Sequence, residues 1–196
     1  MRNYKLVGLT GTTGAGKGLV RRVFEEKGYG SIDADLLARE IMENKVVLKN
    51  IACVFGDDVV ENDCLNRSLL AQRAFKDKES TALLNSITHP YIGALFIAKV
   101  KALSEKGARK IVFDAPQLFE SNLDVMCDSI VSVIANRDLR INRIMARDNI
   151  TLEKAQRRVN IQLSDDFFKA NSDYIIENNR DLESLREQAN IIINKL

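Results

Sequence analysis

The chain has 196 residues, enough for one domain with a substantial core, and its 45% hydrophobic and 29% charged content is ordinary for a soluble globular protein. A formal net charge of +2 gives no reason to expect a nucleic-acid partner, and no apolar run approaches the roughly 20 residues that would span a bilayer. The three cysteines (Cys53, Cys64, Cys127) are scattered and odd in number, which points to a reduced, cytoplasmic setting.

The first apolar run, Lys5–Thr10, reads as a buried strand. It leads into Gly11-Thr12-Thr13-Gly14-Ala15-Gly16-Lys17-Gly18, and Leu19, Val20, Val23 and Phe24 then recur at helical spacing. Strand, glycine-rich loop, lysine and helix make the layout of a phosphate-binding P-loop, G-x-x-x-x-G-K-[ST]. Its glycines let backbone N–H groups converge on phosphate, the helix N-terminus adds partial positive charge, and Lys17 reaches the outer phosphates. Gly18 departs from the pattern, because a Ser or Thr hydroxyl normally holds Mg²⁺ there. A glycine-rich turn that merely ends a strand is the bland alternative. The dinucleotide fingerprint fails, since Leu19 stands at its sixth position.

A second strand, Tyr29–Asp33, closes on Ser31-Ile-Asp-Ala-Asp35. A carboxylate there can orient an acceptor hydroxyl and take its proton, or it can N-cap the next helix. The expected division gives Asp33 to the substrate and Asp35 to the cap. From Asp35 to Gly107 the pattern is long and almost wholly helix-like, with a restart or kink expected at Thr88-His89-Pro90. His89, the only histidine, fits either packing or substrate contact. Lys110–Ala115 reads as a third strand whose Asp114 either supports a Mg²⁺ shell or starts the turn before Pro116.

Ser129–Ala135 reads as a fourth strand, followed by Arg137, Arg140, Arg143 and Arg147 on about 120° of one helix face. Such a stripe is either solvated charge or the cation set around a departing phosphoryl group, with Arg143 and Arg147 favoured for nucleotide contact. The last strand, Tyr174–Glu177, precedes Asn178 and Asn179, which can read a base edge or serve as turn residues. Alternating strands and helices predict an α/β fold of the P-loop NTPase type. It would be a doubly wound parallel five-stranded sheet with a helical substrate-binding insert, to which a family resemblance adds a small helical lid.

Distributed segments match one family. They include Gly8-Leu-Thr-Gly11, Gly14-Ala-Gly-Lys17, Ile32-Asp-Ala-Asp35 with Leu37-Ala-Arg39, Leu65-Asn-Arg67, His89-Pro90 and Asp114-Ala-Pro116 with Leu118-Phe-Glu120. Arg143-Ile-Met-Ala-Arg147-Asp148, Ala155-Gln-Arg157 with Gln162, and Asp173-Tyr174 with Asn178 complete the set. In these the chain resembles the dephospho-coenzyme A kinases, P-loop enzymes that use ATP to phosphorylate the ribose 3′-hydroxyl of dephospho-CoA. The resemblance implies ATP and Mg²⁺ as cofactors and dephospho-CoA as small-molecule partner.

It also implies roles. Asp33 would be the base or orienting group, Lys17 and Arg143 would act on the transferring phosphate, and Arg147 would join a lid over ATP. The loop from Gly11 to Leu19 and Asn178 would hold the nucleotide, while Arg39, Arg67, His89 and Pro116 would face CoA. The corresponding divisions are a core of about 1–35, 108–136 and 173–196, a CoA-binding insert of about 36–107, and a lid of about 137–172. The family usually has Gly at Thr12, Ser or Thr at Gly18, and Thr at Leu19. Losing one charge-assisted contact costs on the order of 1–3 kcal/mol, or about one to two powers of ten in rate or affinity.

Overall fold

In the computed structural model, which describes residues 2–196, the first apolar run forms β1 (Lys5–Gly11), buried from Leu6 onward. It lies between β5 (Lys110–Asp114) and β6 (Ser129–Ile134), parallel to both. β7 (Tyr174–Glu177) pairs in parallel with β6, and β2 (Gly30–Asp33) lies beyond β5, which gives the order β2-β5-β1-β6-β7. This is the expected five-stranded α/β arrangement. The inner strands read as unbroken apolar runs because helices cover a parallel sheet on both faces.

Helix α1 (Lys17–Glu26) packs with α9 (Leu182–Ile193) against this sheet. Val20, Val23 and Phe24 of α1 share one core with Leu185 and Ala189 of α9 and with Val7, Leu9, Val131 and Ile176 of the strands. Three further helices are α6 (Arg137–Asp148), α7 (Leu152–Asn160) and α8 (Asp165–Asn171). Ile141 and Ile144 of α6 meet Ala155 and Val159 of α7 in a small core of their own.

The chain divides into two compact units. One comprises the chain up to Ile32 together with Ala102–Leu196, and the other is Asp33–Lys101. The second unit contains α2 (Ala34–Ile41), α3 (Lys45–Phe55), β3 (Val60–Glu61), β4 (Cys64–Leu65), α4 (Arg67–Ala74) and most of α5 (Lys78–Glu105). Its core gathers Val47, Ile51 and Phe55 of α3 with Leu70 and Leu84.

The segment is almost wholly helical as expected, apart from β3 and β4, which form an antiparallel hairpin. Its turn residues Asn62 and Asp63 both have positive φ, at 51° and 60°, as a two-residue hairpin turn that matches strand twist requires. Of the restart or kink expected at Pro90, the restart does not occur, since α5 runs through it. A proline inside a helix costs about 3 kcal/mol. Leu84 before it, and Ile87, Tyr91, Ile92 and Leu95 around it, all pack on the α3 core. Burial of one large apolar side chain contributes about 1.5–3 kcal/mol, so several of them outweigh the proline.

Candidate functional site

The loop between β1 and α1 is locked by contacts that only glycine allows. Gly11 has φ 131°, and a Cβ there would lie 2.0 Å from the Val133 carbonyl oxygen. Gly16 has φ 97°, and a Cβ would come within 2.5 Å of the Asn178 amide nitrogen. Gly16 is also the N-cap of α1, so no side chain caps that helix, and no acidic residue occupies its first turn. An α-helix start left uncapped in this way suits an anion.

Lys17, the first residue of α1, forms an ion pair with Asp114 at the end of β5. The Asp114 side chain is buried, and Arg21, one turn along α1, approaches its other oxygen at 3.4 Å. Among the described residues no three His, Cys, Asp or Glu side chains converge into a metal cage. Mg²⁺ does not demand one, because it commonly takes one or two carboxylates together with substrate phosphates and retained waters. The single buried carboxylate of Asp114 suits that mode. A Cβ at Gly18 would meet nothing within 4 Å, so a water can stand where a hydroxyl would otherwise reach.

Several side chains brace the loop. Asn178, 5% exposed, donates from Nδ2 to the Ala15 carbonyl at 2.7 Å. Its amide therefore lies behind the loop rather than standing open as a reader of base edges. Arg143 donates to the carbonyls of Gly14 at 3.4 Å and Asn178 at 3.1 Å. Gln162, between α7 and α8, accepts from the Thr13 backbone N–H at 2.9 Å. The Thr12 N–H goes to the Val133 carbonyl at 3.0 Å. Thr12 is thus bonded to the sheet, and its buried hydroxyl has no partner among the described residues. Pro116 sits after β5, and its carbonyl accepts from the Thr10 hydroxyl at 3.4 Å.

The arginine stripe on α6 is not uniform. Arg140 is 6% exposed, lies 3.6 Å from Asp165 and is pulled below the usual guanidinium range by burial. Its backbone is the surface against which Gly14 packs, where a Cβ would stand 2.8 Å from the Arg140 carbonyl. Arg147 is exposed and bonded through Nε to Asp148 at 2.7 Å. The Arg147 hydrogen bond, aided by Arg158, holds the Asp148 carboxyl below the usual range. Of the two favoured arginines, Arg143 touches the loop and Arg147 does not.

In the helical unit, the capping half of the expected division fails: Asp33, not Asp35, caps α2. Asp33 is the N-cap of α2, with Oδ1 accepting from the Asp35 N–H at 2.8 Å and the Leu36 N–H at 3.3 Å. Asp33 is in extended conformation at the strand end, the geometry of a capping residue, whereas Asp35 already lies inside the first turn. Arg39 is exposed on α2, and Arg67 is exposed at the first turn of α4. His89 is half-buried on α5, and burial lowers its imidazole below the ordinary range.

The family model for dephospho-CoA kinase matches residues 5–184. The chain belongs to the dephospho-CoA kinase family. It is 37% identical to a dephospho-CoA kinase of Listeria monocytogenes serotype 4b over 94% of this chain and 93% of that one. It is 39% identical to one from Fusobacterium nucleatum over 92% of each. The dephospho-CoA kinase of Campylobacter jejuni superposes with a TM-score of 0.72 at 25% identity, covering 100% of this chain and 97% of that one. A shikimate kinase from Acinetobacter baumannii, 14% identical with a TM-score of 0.56 over 98% and 92% of the two chains, shares the fold.

Within this dephospho-CoA kinase fold, Gly18 and Leu19 are exposed at the start of α1, while Thr12 is buried. Two contacts to the loop region have no local sequence signal. Arg21 lies one turn from Lys17 on α1, but its approach to Asp114 joins residues far apart in the chain. Gln162 stands in one of the family-matching segments, yet its spacing says nothing about which backbone amide it will meet.

Proposed function

We propose that this chain transfers the γ-phosphoryl group of ATP to the ribose 3′-hydroxyl of dephospho-CoA, giving coenzyme A and ADP in the cytoplasm. The observation that carries this reading is the uncapped start of α1 beside Lys17, held on a glycine-locked loop in a chain of this family. The loop from Gly11 to Leu19 would cradle the triphosphate through its backbone N–H groups. Lys17 would turn from Asp114 to the transferring group. Arg143, anchored on the Gly14 carbonyl, would offset charge there as the bond to ADP breaks. Asp33 would orient the 3′-hydroxyl and accept its proton as that oxygen attacks the γ-phosphorus. Its Oδ1 is engaged by the helix cap, which fixes the carboxylate in orientation.

Asp114 would hold Mg²⁺ through its hydration shell, and the bound ion would neutralise phosphate charge. The 36–107 insert, with Arg39, Arg67 and His89, would receive the CoA part, along with Pro116. The 137–172 segment would act as a lid, in which Gln162 leaves Thr13 and Arg147 leaves Asp148 as ATP enters. Closure would exclude water that otherwise hydrolyses ATP. Asn178 would support the loop from behind.

A second reading rests on Gly18 and Leu19: a protein that holds ATP or CoA without transferring phosphate. The two part in an ADP-release assay offering dephospho-CoA beside AMP, CMP and shikimate. The kinase reading expects turnover with dephospho-CoA and a product heavier by one phosphate. Turnover only with another acceptor would overturn it.

A further inference from the structure

Lys17 and Arg21 stand one turn apart on α1, and both reach Asp114. They meet different atoms. Lys17 Nζ pairs with Oδ1, and an Arg21 terminal nitrogen lies 3.4 Å from Oδ2. The Asp114 side chain is 6% exposed, against 16% for Lys17 and 26% for Arg21. Arg21 also forms an ion pair with Glu25 one turn further on, its Nε 3.6 Å from that carboxylate. Its guanidinium is always charged and presents donors on more than one edge, so it can bridge two carboxylates.

A buried carboxylate left without its counter-charge is strongly disfavoured. If Asp114 depended on Lys17 alone, each turn of Lys17 toward a phosphate before Mg²⁺ arrives would strand a buried anion, and that cost would oppose nucleotide binding. The separate oxygens remove this conflict, because the Arg21 contact survives the departure of Lys17.

We propose that Arg21 is a positioning residue for phosphoryl transfer: it keeps Asp114 neutralised and so frees Lys17 for the nucleotide. This rests on the reading above that Lys17 binds ATP phosphates. Without Arg21, Lys17 is retained by Asp114, and the nucleotide must compete with that ion pair.

The test is ATP affinity by titration calorimetry on the full chain with Mg²⁺ chelated, with a melting curve for each variant as a check on folding. R21A is expected to weaken ATP binding roughly ten- to a hundredfold, and R21K to recover part of the loss. R21Q, which keeps most of the side chain without its charge, carries the same expectation should R21A not fold. In a D114N background, where no buried anion waits for Lys17, removing Arg21 should have little further effect. Unchanged affinity in both R21A and R21Q overturns the proposal. So does an equal loss in the D114N background, which would make Arg21 a direct contact of ATP. K17A separates the two claims. If K17A binds ATP as tightly as the parent chain, the reading of Lys17 falls and the proposal with it. If K17A is impaired while Arg21 variants are silent, only the proposal falls.

Discussion

The unit that carries the loop holds its chemical groups against one another, whereas Asp33–Lys101 carries its candidates on separate helices. In the first, Lys17, Arg21 and Asp114 share charge, and Asn178 and Arg143 bond the loop's own carbonyls. In the second, Arg39 and Arg67 are exposed at the starts or faces of different helices, and His89 is half-buried on a third. Under the proposed function, the first region would cradle the phosphates and the second would support the larger CoA part. The same substitution should therefore have opposite consequences in the two regions.

The largest expected effect is at Asp33. Asp33→Asn removes the proton acceptor but retains a good N-cap, so turnover should fall by roughly 10²–10⁴ while ATP affinity and melting temperature stay near the parent values. Near-normal turnover would refute the role of Asp33. Next is Gly16→Ala, which puts a Cβ 2.5 Å from Asn178 Nδ2 at a residue with φ 97°. Strain of this kind costs about 1–3 kcal/mol. The loop should therefore shift, with a loss in ATP affinity readable by titration. An unchanged affinity would show that the loop is not held as described.

Gly18→Ser should act in the opposite sense. A Cβ there meets nothing within 4 Å, and the added hydroxyl should raise the rate or lower the Mg²⁺ demand by about one to two powers of ten. Unchanged rate and Mg²⁺ dependence would show that Gly18 is no defect. In the helical unit, Gly93 lies inside α5 with open space around it. Gly93→Ala should stabilise the chain by about 1 kcal/mol, read as a higher urea midpoint. Destabilisation there would mean that α5 is not the regular helix described.

The smallest effect is a pH dependence at His89. Burial lowers the folded imidazole below its ordinary value of about 6.5, so the unfolded chain takes up a proton first as pH falls. The His89 contribution to stability should thus be complete above that value and be lost as pH drops below it. A His89→Asn variant should flatten this part of the urea-midpoint profile, and a slope identical to the parent's would contradict the burial.

The P-loop was legible because its signal is local. A strand, the glycines at 11, 14 and 16 and a lysine follow one another within about a dozen residues, and no distant partner is needed to read them. The parallel sheet was legible from apolar runs, with ends that differ from the structure by a residue. Asp33 and Asp35 were harder, since both are good capping residues and the backbone angle that separates them is not written in residue type. The β3–β4 hairpin was hidden because strands of two residues show no alternation, although Asn62-Asp63 is a turn signal. The helix does not restart at Pro90 because burial around it, which residue type alone does not reveal, overrides a local breaker. Arg21, Gln162 and the inward amide of Asn178 depend on contacts between distant segments, which periodicity cannot place.

The central claim is that this chain moves phosphate despite the glycine at position 18. Its most direct test is ADP release by the purified chain with ATP and dephospho-CoA across a Mg²⁺ titration. The account predicts stoichiometric coenzyme A and ADP, with a Mg²⁺ midpoint that moves lower in Gly18→Ser. Binding of both ligands with no ADP released at any Mg²⁺ concentration would contradict it.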